Sequence, residues 1–237
     1  MNAAEKYHEH ARGLVDRIMA TQSAAIRKAA LLVADTVERD GLVYTLGSGH
    51  SLLTAAEFYY RAGGLANFDV VHDKTFGRAE RLSGYAAVLL ESYPISSNDL
   101  LFIVSNSGRN ALPVEMAIEA RKRGVTTVAI TSLEHSRSVS PRAPSGQRLF
   151  EICDLVIDNC GVMGDAAVAV GNGSGMTVGP TSTLAGVFIA NCVVGLAVEE
   201  LLRRGVRPPL FRSANVDGAD AENERLLSFL RERVRGL

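Results

Sequence analysis

The sequence has no surplus of basic charge: 25 lysines and arginines stand against 26 aspartates and glutamates, for a net charge of −1. A broad electrostatic interface with nucleic acid needs clustered cations and is not expected. Cysteine is scarce, and Cys153, Cys160 and Cys192 form no CxxC pair and are odd in number. That usage argues against a disulfide framework and for a reducing cytoplasm. Long apolar runs are also lacking. The longest, Leu184 to Val198, is interrupted by Asn191 and falls short of the ~20 residues a bilayer-spanning helix needs, so it reads as a buried core helix. Met1 to Tyr7 is polar and helical, with no apolar segment leading to a cleavage site, so no secretory signal is expected.

Common cofactor and hydrolase signatures are missing as well. A dinucleotide fingerprint requires a third glycine three positions after Gly49, where Leu52 stands, although Asp69 lies at a suitable distance for a ribose contact. There is no GK[ST] for a P-loop and no GxSxG nucleophile elbow. His8 and His10 are two apart and diverge on a helix, and no His, Glu or Cys cluster has metal-ligand spacing. Neither a metal nor an organic cofactor is expected.

What is present alternates between strand and helix. Ala3 to Met19 and Ala24 to Glu38 read as two helices, the second with Ile26, Ala30, Val33 and Val37 at spacings of three and four. Asp40-Gly41 stops it, and the strand Leu42 to Leu46 follows. A helix then runs to Arg61, ended by Gly63-Gly64. Ala66 to Val71 reads as a strand, and Tyr85 to Glu91 as a helix within a mixed stretch. Leu100 to Val104 is an unbroken apolar strand, as expected when both faces of a parallel sheet are covered. A helix from about Leu112 carries Pro113 in its first turn, where a missing N–H costs little, and ends at Gly124. Val125 to Ile130 is a further strand. Thr131 to Arg148 is too long for a routine connection and is expected to be a mobile lid. A strand at Leu155 to Ile157, an irregular glycine-rich stretch from Asp158 to Gly179, a long helix from Thr181 to Arg204 and a last helix from Asn223 to Arg235 complete the chain.

This order predicts an α/β fold: a single-domain three-layer α/β/α unit with an open, mostly parallel sheet joined by right-handed crossovers. Residues 1–41 form an N-terminal helical segment packed outside the sheet or across a dimer, and residues 42–237 carry the sheet. Ligands of such sheets bind beyond the carboxyl ends of the strands. Three of these ends are rich in hydroxyls and small residues: Gly47-Ser48-Gly49-His50-Ser51, Ser105-Asn106-Ser107-Gly108, and Thr131-Ser132. Thr181-Ser182-Thr183 opens the long helix as a fourth. Any one of them would be an ordinary N-cap, but several on one edge favour an anion held by hydroxyls and backbone N–H groups.

GSGHS after one strand and SNSGRN after another resemble the turns G-x-G-x-S and S-x-S-G-x-T of the SIS (sugar isomerase) domain, over roughly Ala24 to Arg204. With AAEFYYRAGG and GPTST, the chain is similar to stand-alone SIS proteins of the phosphoheptose-isomerase type and to N-acetylglucosamine 6-phosphate dehydratases. The resemblance implies that Ser105, Asn106, Ser107 and Asn110 hold a phosphate, with Ser51, Ser48 and the Gly47 and Gly49 backbone completing the cradle. Ser182 and Thr183 would face the same pocket. Asn110 stands where the family pattern has threonine. The resemblance also implies a homodimer or higher homo-oligomer, with no membrane partner.

Chemistry on a phosphosugar needs a base at C2. Glu57, six residues past Ser51, is the candidate, and its alternative is a surface carboxylate paired with Arg61 at i+4. Phosphoheptose isomerases and related etherases place a glutamate ten residues past that serine, where Arg61 stands here. His50 and His135 are the candidate acids, His50 otherwise being a turn residue and His135 a solvent-exposed one. Glu80 is a secondary candidate, reaching the site from a partner subunit. The resemblance tilts the reaction towards dehydration of N-acetylglucosamine 6-phosphate. The alternatives are aldose–ketose isomerisation and a non-catalytic phosphosugar sensor.

Overall fold

Alternate residues of each apolar strand enter opposite layers. Of β3 (Leu100–Val104), Leu100, Phe102 and Val104 pack in one core with Val43, Phe68, Val128 and Ile157. Leu101 and Ile103 pack in the other with Tyr44, Leu46, Val71 and Ala129. The computed structural model describes residues 1–171 and 173–235. Beside β3 lie β1 (Val43–Gly47), β2 (Phe68–Val71), β4 (Thr126–Thr131) and β5 (Leu155–Asp158). The five strands are parallel, in the order β2-β1-β3-β4-β5. Helices α1 (Ala3–Glu38), α2 (Ser51–Glu57) and α6 (Ser182–Arg203) cover one face. Helices α3 (Tyr85–Glu91), α4 (Ala111–Lys122) and α7 (Ala219–Leu230) cover the other. The three-layer α/β/α reading therefore holds.

Several expected boundaries move. The two N-terminal helices are one helix of 36 residues, opened by a capping box in which Asn2 Oδ1 accepts from the Glu5 N–H at 3.0 Å and Glu5 Oε2 from the Asn2 N–H at 2.9 Å. No glycine or proline stands between Ala20 and Ala24, and the Thr21 and Ser23 hydroxyls donate back to the Arg17 and Met19 carbonyls within the helix. Packed on the outside of the sheet, α1 shares a core with it and with α6. Small residues at Ala29, Ala30 and Ala34 of α1 and at Ala190 and Ala197 of α6 are buried in that core. With its ends included, α6 has 22 residues, long and apolar enough to cross a membrane, so length does not distinguish it. Its packing on α1 and α2 does, and it is a core helix here.

The stretch read as irregular contains a hairpin of β6 (Ala166–Val170) and β7 (Met176–Pro180), antiparallel with Val168 opposite Val178. Its glycines hid a short alternating pattern. Helix α2 stops at Glu57, four residues before the expected end, and Tyr60 already has a left-handed φ of 39°. The last helix begins and ends earlier than expected, at Ala219 and Leu230.

The expected lid is pinned. Within it α5 (Leu133–Ser138) is capped by Ser132, whose Oγ accepts from the His135 N–H at 3.1 Å. The N–H groups of Arg142 and Ala143 donate to the Arg109 carbonyl at 2.8 and 3.1 Å, and that of Leu149 to the Gly108 carbonyl at 2.8 Å. Backbone bonds to the turn after β3 thus fix a segment whose length alone suggested mobility.

Candidate site at the ends of β1 and β3

From β1 the chain crosses to β2 on one side, whereas β3 lies on the other side of β1. Such a reversal opens a crevice at the carboxyl ends of the two central strands. Gly47 is in register with Val104, so the two hydroxyl-rich turns leave the sheet side by side. The first is closed by glycine: a Cβ on Gly47 would lie 2.1 Å from the Ser51 carbonyl oxygen. In the second, Gly108 has φ 56°, and a Cβ there would meet Leu149, Ser136 and Thr131 atoms at 3.2 Å.

The second turn leaves donors free. Among the described residues, nothing accepts from the backbone N–H of Asn106 or Ser107, which lie just before the N-terminus of the 12-residue α4. Successive free N–H groups beside a helix's positive end form an anion cradle. The turn is braced from below. Ser105 Oγ accepts from the Gly108 N–H at 3.2 Å, and Asn159, 2% exposed, donates from Nδ2 to Asn106 Oδ1 at 2.9 Å. That contact occupies the oxygen of the Asn106 amide and leaves its NH2 to donate. Thr131 and Ser132 turn inward, their hydroxyls donating to the Asn106 and Gly161 carbonyls at 3.2 and 2.6 Å. They support the cradle, contrary to the expectation that they line it.

The first turn is tied to a segment that was read only as mixed. Ser48 Oγ donates to Asp73 Oδ2 at 2.9 Å, and Asp73 also accepts from the Gly77 N–H at 2.8 Å, the Thr75 N–H at 2.9 Å, and the Thr75 and Tyr85 hydroxyls at 2.6 and 3.2 Å. Burial would raise the Asp73 pKa, but the bonds from Thr75, Gly77 and Ser48 outweigh it and hold the carboxylate below its ordinary value. Gly77 leans on the turn, its missing Cβ 3.0 Å from the Gly49 backbone, and the exposed His50 ring meets Phe76 edge-on at 6.1 Å. Asp73 was missed in the sequence. The spacing Asp73, Thr75, Gly77 is an Asx-turn signal that could have found it.

Asn110 is the N-cap residue of α4, yet its amide is engaged at both ends. Nδ2 donates to Glu80 Oε1 at 2.8 Å, and Oδ1 accepts from Arg142 Nη1 at 3.3 Å. Glu80 therefore reaches the crevice within its own chain, which corrects its assignment to a partner subunit. Burial, against the pull of Arg81 and Arg142, raises its pKa.

Glu57 lies at the far end of α2. Its carboxylate accepts from Arg61, the pairing that the i+4 spacing anticipated, and from Asn191 Nδ2 of α6 at 2.8 Å. At the start of α6, Asp165 accepts from the Thr181 and Ser182 N–H groups at 3.0 and 2.8 Å and from the Ser182 hydroxyl at 2.7 Å. The Ser182 proton is thereby used inside the fold. His135 is half-buried rather than solvent-exposed, and its Nδ1 has no partner among the described residues. Burial lowers its pKa, with Asp165 opposing and Arg109 reinforcing the shift. The two turns, Glu80 and Asn110 thus meet at one edge, with His135 and Ser182 beside the second turn and Glu57 below the first. Among the described residues no group of three or more His, Cys, Asp or Glu is arranged to hold a metal.

The family described as SIS domain matches residues 6–132. A UPF0309 protein of Shouchella clausii is 39% identical over 96% of both chains, and one of Halalkalibacterium halodurans is 38% identical over 91% of this chain and 92% of its own. Among solved structures, a phosphoheptose isomerase from Francisella tularensis covers 84% of this chain and all of its own, at 15% identity and a TM-score of 0.59. The NanR protein of Vibrio vulnificus, complexed with ManNAc-6P, covers 97% of this chain and 70% of its own, at 16% identity and a TM-score of 0.57. At those identities the structural likenesses establish the fold.

Proposed function

Since this chain belongs to the SIS domain family and, within it, with the UPF0309 proteins, we propose that it binds a sugar phosphate in the crevice between β1 and β3 and removes the proton from C2 of the open-chain form. One observation carries the reading: two hydroxyl-rich turns on adjacent strands, the second with free N–H groups at Asn106 and Ser107. The phosphate sits on those N–H groups and the Ser107 and Ser51 hydroxyls.

A base for C2 must stand one sugar's length from that anchor. Glu57, six residues beyond Ser51, lies about 9 Å along the helix from it, the reach of an extended six-carbon chain. Glu80 is bonded instead to Asn110 of the second turn, and burial raises its pKa. Glu57 takes the C2 proton, and Arg61 and Asn191 orient its carboxylate. The electron pair moves into the C1–C2 bond, and the C1 oxygen takes a proton. His50, exposed on the first turn, is assigned as proton donor, because burial lowers the pKa of His135.

The substituent at C2 decides the continuation. With a hydroxyl, reprotonation at C1 gives a ketose. With an acetamido group the acylated nitrogen bars that route, and departure of the C3 hydroxyl as water gives an unsaturated sugar. The same reading makes the chain a homodimer, which light scattering of the purified protein checks.

The test is incubation with N-acetylglucosamine 6-phosphate, glucose 6-phosphate and other hexose and heptose phosphates in deuterated water, followed by NMR. Loss of the C2 proton with a new vinylic signal identifies the dehydratase, and ketose signals identify the isomerase. Binding without exchange for every sugar would make the chain a sensor and end the enzymatic reading.

A further inference from the structure

The rim of the crevice beyond the second turn carries more positive charge than one phosphate uses. Arg109 follows Gly108 in the turn. Arg142 is laid against it by the bond from its N–H to the Arg109 carbonyl at 2.8 Å, and its guanidinium reaches Asn110 at 3.3 Å. Arg81 adjoins Glu80, whose carbonyl accepts from the Leu112 N–H at 2.9 Å in the first turn of α4. Desolvation and the nearby guanidiniums of Arg109 and Arg81 hold the Arg142 pKa below its ordinary value, with Glu80 opposing. Three guanidiniums thus converge beside one carboxylate, and Asp73 behind it is already engaged by five hydrogen bonds.

None of the three arginines has a carboxylate oxygen within 4.0 Å among the described residues. At the other end of the sheet, Arg204 alone has three, from Asp35, Glu38 and Glu200 at 2.6–2.7 Å. Unpaired arginines on an open surface are ordinary. Three that repel one another at the lip of an anion cradle are not, because mutual repulsion costs stability unless something relieves it. Arg109 adds an independent sign: its Nη2 donates to the Ser140 hydroxyl at 3.2 Å, but its Nε is buried and has no partner among the described residues.

We propose that Arg81, Arg109 and Arg142 form a second anion subsite, so that the preferred ligand is a sugar phosphate bearing another oxyanion, a carboxylate or a second phosphoryl group. This rests on the crevice being a sugar-phosphate site and specifies the class of sugar it takes. Guanidiniums suit either group, since their paired donors match the two oxygens of a carboxylate or phosphate.

Calorimetric titration of the full chain with matched pairs tests it: glucose 6-phosphate against 6-phosphogluconate, and fructose 6-phosphate against fructose 1,6-bisphosphate. The doubly anionic member of at least one pair should bind about tenfold tighter, a difference of about 1.4 kcal/mol. The Arg81→Gln/Arg142→Gln double variant, which keeps a donor at each position, should bring both pairs to within about twofold and leave monophosphate binding unchanged. Equal affinity within both pairs in the wild type would overturn the subsite and leave the crevice reading standing. A preference that survives in the double variant would also overturn it. No binding of any of the four sugars would remove the crevice reading and the subsite together. Inorganic phosphate as competitor separates a free-anion site from one filled by the sugar's own group. Loss of the preference at low millimolar phosphate, with monophosphate binding intact, would overturn the two-headed ligand.

Discussion

Glu57, at the end of the helix that follows β1, and Glu80, beside the turn after β3, are held in opposite ways. Glu57 ends α2, partly buried, with a cation and an amide as partners. Glu80 comes from the loop above α4, touches one amide, and is pushed towards its neutral form by burial. The difference extends to the walls. On the β1 side the Ser48 hydroxyl is committed to Asp73 and the Glu57 carboxylate to Arg61 and Asn191. On the β3 side the Asn106 and Ser107 N–H groups, His135 Nδ1 and Arg109 Nε have no internal partner among the described residues. A carboxylate oriented by two donors suits a base at the sugar's carbon. A carboxylate inclined to be neutral suits the neighbourhood of a bound phosphate, where a second negative charge would repel it.

The largest expected effect follows directly. Glu57→Gln should lower C2–H exchange by about 10²–10⁴-fold, the ordinary worth of a general base, while sugar-phosphate binding survives within a few-fold. Glu80→Gln should cost less than about tenfold in exchange. Deuterium incorporation by NMR and calorimetry on the same samples measure both. If the two variants exchanged places, the assignment of the walls would be reversed.

Next in size is the β3 turn itself. Gly108→Ala forces a side chain into a left-handed backbone and against Ser136, Thr131 and Leu149. It should cost about 1–3 kcal/mol of stability and weaken sugar-phosphate binding, because the free N–H groups of Asn106 and Ser107 would be re-aimed. Gly49→Ala sharpens the contrast. Its φ is 58° but it has open space around it, so only backbone strain is added and the loss should be smaller. Chemical denaturation of both variants gives the order.

Much of this was legible in the sequence because the sheet is buried on both faces. Leu100 to Val104 and Val125 to Ile130 can be nothing but strands in a covered sheet, and the turns after them are set by glycine and serine. Their neighbourhood across the switch point follows from strand order, which a chain of alternating elements leaves open until the crossovers are known. The braces were not legible. Asn159 reaches Asn106 from 53 positions away, and Asp165 caps α6 from 17 positions before Ser182. Pairs so distant leave no local period. The lid failed for the same reason: length counts residues, but the bonds to Gly108 and Arg109 that pin it are tertiary. Nor could spacing place Glu80, whose contact with Asn110 depends on how the loop after β2 folds back over α4.

The smallest expected effects divide the same two walls by pH. Asp73 is depressed below its ordinary 3.8, so its stabilisation is fully present above that value and is lost as pH falls through the lower folded pKa. Asp73→Asn should therefore destabilise the protein at neutral pH by about 1–2 kcal/mol, the gap to wild type narrowing as pH falls below 3.8 through the lower folded pKa. Glu80 runs the other way. Its folded pKa lies above the ordinary 4.5, so its protonated form favours the fold. That contribution is complete below pH 4.5 and is lost as pH rises through the folded value. Glu80→Gln, permanently neutral, should then match wild type in acid and be the more stable of the two at neutral pH. Melting temperatures of the three proteins across the acid-to-neutral range decide it. A Glu80→Gln variant less stable than wild type at neutral pH would mean that Arg81 and Arg142 hold the carboxylate charged, and that the β3 wall is less positive than its three arginines make it.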